Sequence, residues 1–192
     1  MLLLACGCEK ELDHTIAEGQ VVDAVTGKPV AGAAVAVMEK ENWNFSGGYK
    51  QIVTTYADGD GRYSLSFNTR DDYNYSLAGV KEGSYFTSSD YVSVKKNRKN
   101  KVNVPLTPKA WLKMHIKNVN PVNEHDIVKI VEPGGSRPFF RGQSIDTVFI
   151  QAVNPVFPVK IYYWSTKGGI TKEKKDTVSC PPLDTTHYYI NY

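Results

Sequence analysis

No stretch of this chain keeps apolar residues at a 3.6-residue period for three turns. Short runs of alternating apolar and polar residues recur instead, separated by Gly, Pro, Asn and Asp. Period-two alternation sets one face of a segment against a core and the other in water, so each run predicts a strand. Many short strands between turn signals predict an all-β sandwich rather than alternating strands and helices. The expected strands of the first half lie at about 15–22, along Ala33, Val35 and Val37, and at 51–56, 62–67, 73–80, 85–94 and 101–106. Thr107-Pro108 interrupts this series, because proline has no amide hydrogen to donate. A fresh alternation starts at Ala110, with Leu112, Met114 and Ile116 on one side and Trp111, Lys113, His115 and Lys117 on the other. Further runs lie at 126–131, 146–153, 159–165, 173–178 and 186–191. Two small β-sandwich domains in tandem are therefore expected, at 15–107 and 108–192, behind a short segment 1–14. For 192 residues this matches the usual domain size of about 100. A composition of 41% hydrophobic and 22% charged residues supplies two cores and excludes a disordered chain. The two halves show no sequence repeat of one another.

The first half carries a more specific pattern: Gly19-Gln20-Val21-Val22-Asp23, then Thr26-Gly27-Lys28-Pro29-Val30-Ala31-Gly32-Ala33-Ala34-Val35, then Thr55 and the turn from Asp58 to Tyr63. Over about 15–106 these residues resemble a carboxypeptidase regulatory-like domain, a transthyretin-like (Ig-like) β-sandwich common in exported bacterial proteins. The resemblance implies a non-catalytic accessory or binding module and transfers no peptidase activity. The segment from Glu41 to Lys50 is longer than the compact form of such a domain, and is the place where recognition would be grafted. The second half resembles no family.

Leu3-Leu4-Ala5-Cys6 resembles a lipobox, which implies cleavage before Cys6 and a diacylglycerol on its thiol. The apolar stretch is shorter than a complete signal and has no preceding Lys or Arg, so a fuller leader upstream is expected. Residues 9–14 are polar and read as a tether. The expected setting is the bacterial cell envelope, at the outer membrane, with the lipid anchor as the membrane contact. No later segment approaches the ~20 apolar residues of a spanning helix. Three cysteines make no disulfide framework, and Cys180 is expected as a free, buried thiol. A net charge of +3 lacks the one-sided basic excess of a nucleic-acid binder, so no nucleic-acid partner is expected. The run from Lys95 to Lys101 reads as a solvated hairpin tip between two strands.

Asp58-Gly59-Asp60-Gly61 suggests calcium, but the fifth and twelfth positions of such a loop fall on Arg62 and Thr69, which makes a carboxylate-capped turn the better reading. His14, His115, His125 and His187 have no metal-ligand spacing. Glu124-His125-Asp126 are neighbours whose side chains diverge on a strand, and a solvated loop before Ile127 is the expectation. No catalytic residue, metal or cofactor is therefore expected. The feature that core packing does not demand is aromatic: Trp43, Phe45 and Tyr49 in a Gly-rich loop, beside Asn42 and Asn44. Sugar rings stack on such side chains, while asparagines bond hydroxyls. The expectation is a non-catalytic envelope lipoprotein binding a glycan, a peptide or a partner envelope protein through loops and open strand edges, with any site on the first domain involving the loop from Glu41 to Lys50. A structural spacer is the alternative, and would bury these rings. A hydrolase would need at least two of His115, Glu124, His125, Asp126 and His187 to meet in a pocket.

Overall fold

The computed structural model describes residues 14–43, 47–86, 91–131 and 138–192. The chain is all-β: strands and turns with no helix among the described residues. It divides into two compact units, Met1–Thr107 and Pro108–Tyr192.

The first unit contains β1 (Thr15–Asp23), β2 (Ala34–Glu41), β3 (Lys50–Tyr56), β4 (Arg62–Phe67), β5 (Tyr73–Val80), β6 (Val92–Val94), β7 (Lys99–Lys101) and β8 (Val104–Leu106). One sheet runs β4-β1-β7, with β8 also paired to β1; the other runs β3-β2-β5-β6. Between them lies a core that includes Ala17, Val21, Val35, Val37, Leu77, Val104 and Leu106, each fully buried. Alternation accounts for this: Tyr63, Leu65 and Phe67 of β4 are buried while Arg62, Ser64 and Ser66 are exposed. The first strand has an unusual partner on its second edge. Ile16 to Glu18 pair in parallel with β7, and Val21 to Asp23 in parallel with β8. Between these stretches the last strand steps across β1 at Val102, whose N–H donates to the Glu18 carbonyl and whose carbonyl accepts from the Tyr63 hydroxyl. Gly19 makes room for the step: a Cβ there would sit 1.8 Å from the Val102 oxygen.

The second unit contains β9 (Ala110–Lys117), β10 (Ile127–Val131), β11 (Phe139–Arg141), β12 (Asp146–Val153), β13 (Val159–Lys167), β14 (Ile170–Val178) and β15 (Thr185–Asn191). Its sheets run β12-β9-β15 and β11-β10-β13-β14. Leu112, Met114 and Ile116 of β9 meet Val128, Ile130, Ile161, Tyr163, Ile190 and Cys180 in a second core. Cys180 is a free, buried thiol, as expected. Taken in chain order, the strands of this unit assemble as those of the first do. In each, the first strand lies between the fourth, antiparallel, and the last, parallel, while the second pairs with the third and fifth and the fifth pairs with the sixth. The sequence, which shows no repeat, hides a repeated topology.

Two local expectations change. Among the described residues, the strand expected over 85–94 is present at Val92–Val94 and not at Tyr85 and Phe86. Tyr85 lies instead beside a turn at Gly83, whose φ of 79° ends the extended run after β5, and the Tyr85 hydroxyl donates to Asp23 at 3.1 Å. The basic run is not a hairpin tip, because β6 and β7 belong to different sheets. Asn100, nearly buried, organises this crossing. Its Oδ1 accepts from the Lys95 amide, and its Nδ2 reaches the carbonyls of Ile16, Lys95 and Arg98.

Candidate binding surface beside β2 and β3

The segment between β2 and β3 is anchored at its first residue. The Asn42 amide donates to the Asp72 carbonyl at 2.9 Å, and its side-chain amide to that of Asp71 at 3.3 Å. Asn42 is therefore a foot of the loop, its side chain already engaged, and not a free partner for a hydroxyl. The next residue, Trp43, is 70% exposed. Asn44 and Phe45 lie outside the described residues.

Tyr49 takes a different course. Its ring packs at a tilt of 31° against Tyr91 with centroids 4.2 Å apart, and both rings remain exposed. These residues directly precede β3 and β6, the two edges of a four-stranded sheet, which stand roughly 14 Å apart at about 4.8 Å per strand step. The rings meet only by reaching over the outside of the sheet from both edges. The residues on that outer face agree: Ala36, Ser76 and Ala78 point away from the core, yet they are buried. Tyr49 and Trp43 are both exposed, which departs from the spacer expectation of rings hidden in the core, although Tyr49 has Tyr91 as a ring partner.

Around the feet of the loop is a polar cavity of about 310 Å³, lined by Glu39, Glu41, Gly47, Gly48, Lys50, Arg70 and Tyr73. The Arg70 guanidinium donates to the buried Glu39 carboxylate at 2.7 Å and lies over the Tyr73 ring at 3.7 Å. The hydrogen bond to Glu39 holds Arg70 above its ordinary pKa. The Tyr73 hydroxyl donates to Glu41 at 2.9 Å, which, ahead of burial, raises its own pKa. The cavity thus holds a fixed set of donors and acceptors, and Trp43, which follows β2 and Asn42 in the chain, is exposed without lining it. Sequence reasoning missed Arg70, Glu39, Tyr73 and Tyr91. The available signal for Tyr91 was the row of small residues at outward positions, which leaves space for a covering layer.

The remaining candidates separate clearly. The Asp58 carboxylate accepts the amides of Asp60 and Arg62 at 2.9 and 2.8 Å, and Gly61 has a φ of 73°, which makes this motif a capped turn. Glu124 and His125 are exposed in a turn. Asp126 is fully buried and accepts from Asn118, Val122 and Asn123, chiefly Asn118, which holds its pKa below the usual carboxylate value. His115 and His187 do meet, with ring nitrogens 3.0 Å apart across the parallel β9–β15 pair. They lie on the outer face of a sheet, flanked by Lys113 and Tyr189, and no group of three or more His, Cys, Asp or Glu that could hold a metal forms among the described residues. Cys6 lies outside the described residues.

No family model matches the chain, and no curated protein matches it. Among solved structures it is similar to the Bacillus anthracis TIE protein, at 16% identity and a TM-score of 0.37, covering 93% of this chain and 34% of that one. It is also similar to a DUF3823 family protein from Bacteroides ovatus (13% identity, TM-score 0.35, 86% of this chain and 98% of that one). A streptococcal ancillary pilin matches at 14% identity and a TM-score of 0.41, over 95% of this chain and 63% of that one. The chain thus spans about a third of the Bacillus protein. Likenesses this distant assign no activity.

Proposed function

We propose that the chain is a non-catalytic module of the bacterial cell envelope, anchored at the outer membrane through a lipid on Cys6, and that it binds a glycan at the loop after β2. The observation that carries this reading is Trp43: a large apolar ring, 70% exposed, on a loop fastened at its foot by Asn42. A spacer gains nothing from such a ring, whereas a sugar face stacks on it and turns its hydroxyls toward Arg70, Glu41 and Lys50. The resemblance of 15–106 to carboxypeptidase regulatory-like domains supports an accessory role, and Leu3-Leu4-Ala5 before Cys6 supports the anchor. The spacer reading retains one specific observation, the tilted Tyr49–Tyr91 contact, which gives one loop ring a partner within the fold although both rings are exposed. For a hydrolase, no carboxylate hydrogen-bonds the His115–His187 pair among the described residues, and Asp126 is engaged in its own turn.

Glycan screening followed by calorimetry on Trp43→Ala decides between binding module and spacer. The variant should melt with the parent, within ~0.5 kcal/mol, and lose more than ~1 kcal/mol of binding to the glycan found. A large drop in melting temperature would return Trp43 to the core and leave the spacer.

A further inference from the structure

A second cavity, in the second unit, departs from the rule that inner-face positions of a sandwich are apolar. Along β13 the inner face reads Val159, Ile161, Tyr163, all buried. The register carries that face onto β14 as Val178, Asp176, Lys174, Lys172 and Ile170. Asp176 accepts a hydrogen bond from the Tyr188 hydroxyl at 2.9 Å, which ties β14 to β15. Beyond this tie the layers part around a cleft of about 580 Å³. Lys167, Lys172 and Lys174 line it from β13 and β14, Tyr192 and Val119 line it from just beyond the ends of β15 and β9, and Tyr163 and Ile170 add apolar surface. Lys167 donates to the Asn120 carbonyl and lies 5.0 Å from the Tyr192 ring centre. Lys172 and Lys174 form no salt bridge among the described residues; Glu173 between them also borders the cleft while its carboxylate pairs with Lys175 at 3.1 Å, and Asp176 lies near enough to feel the charge of Lys174.

Three ammonium groups sharing a partly enclosed cleft repel one another, and an anion relieves that repulsion. We propose that this cleft binds a small organic oxyanion, a carboxylate or phosphate ester, with its charge among the three lysines and its body against Tyr192, Ile170 and Val119. Inward-pointing lysines also protect exposed edge strands from pairing with other chains. Edge protection alone, however, does not require the facing wall of Tyr192 and Val119 or a volume in the range of ligand sites. The proposal is independent of the loop at Trp43.

The test titrates the full chain with trigalacturonate, glucose 6-phosphate and, as an uncharged control, maltotriose, read by calorimetry and by amide chemical shifts. Binding of either anion, shifts clustered at Lys172, Lys174 and Tyr192, and no response to maltotriose are expected. The tighter of the two anions identifies the oxyanion. Lys172→Gln with Lys174→Gln should weaken binding at least about tenfold. Lys172→Arg with Lys174→Arg should retain it, as should Lys129→Gln with Lys160→Gln, which removes two charges from the same sheet. Absence of binding by both anions at about 10 mM would overturn the proposal. So would equal loss in both glutamine pairs, or unchanged binding in the Lys172/Lys174 glutamine variant accompanied by aggregation, the result expected of edge protection alone.

Discussion

The two units assemble their strands in the same order but close their first sheet differently. In the second, β15 runs beside β9 without a break from Thr185 to Asn191. In the first, the equivalent strand is cut into β7 and β8, and the cut passes over Gly19. A continuous strand needs only apolar alternation, which many sequences supply. A stepped strand needs one residue without a side chain and a polar organiser, here Asn100. The first unit's identity therefore rests on a few irreplaceable positions, and the second's on a pattern. Their outer surfaces differ too: the middle strands of one outer face in the first carry small buried residues, Ala36, Ser76 and Ala78, while one outer face in the second carries large exposed residues such as Val148, Ile150 and Tyr189.

Gly19→Ala should break the comparison most sharply. The Val102 carbonyl belongs to the backbone and cannot swing aside, so a loss of ~3 kcal/mol or more is expected in the first unit alone. Hydrogen exchange resolved by segment would show this, and protection of β1 unchanged in the variant would mean that the step tolerates a side chain. Asn100→Ala should follow, at about 2 kcal/mol, because it leaves a nearly buried set of backbone groups short of partners. A pH scan separates the units by charge. Hydrogen bonds, chiefly from Asn118, depress the folded pKa of Asp126, so its contribution is fully present above the ordinary carboxylate range and disappears as pH falls through the lowered value. Asp126→Asn should flatten the acid limb of the second unit's unfolding; an unaltered limb would assign it elsewhere. Tyr91→Ala should cost ~1 kcal/mol and raise exchange in β2 and β5 as the outer face uncovers. Tyr189→Ala on the uncovered face should change stability by less than ~0.5 kcal/mol. An equal loss at Tyr91 and Tyr189 would erase the distinction between covered and uncovered faces.

The sequence makes the strands legible where a single face decides their pattern. Ala33, Val35 and Val37, or Leu112, Met114 and Ile116, can alternate for only one reason, and all are buried. What it conceals is which strands meet. The parallel pairing of β1 with β7 and β8, and of β9 with β15, joins residues about 80 positions apart, and no local rule reports it. For that reason Gly19 reads as one more glycine in a strand, and His115 and His187 look unrelated. Within the loop, aromatic content identified a surface without assigning each ring. Trp43 and Tyr49 are both exposed, and only the structure pairs Tyr49 with Tyr91, a residue 42 positions away.

The parallel pairing of first and last strands sets how each unit responds to tension. The chain enters the first unit at the head of β1 and leaves it at the tail of β8, and the two run side by side in the same direction. A pull on the two ends draws these neighbours past one another lengthwise, so the bonds between them bear the load together instead of opening one at a time like a zip. In the second unit that shared load falls on seven residue pairs in an unbroken row, and in the first on two rows of three separated by the step at Val102. The step itself is bridged by the Val102 amide on the Glu18 carbonyl and the Gln20 amide on the Asn103 side chain, so under load a backbone bond and a side-chain bond replace the regular ladder there.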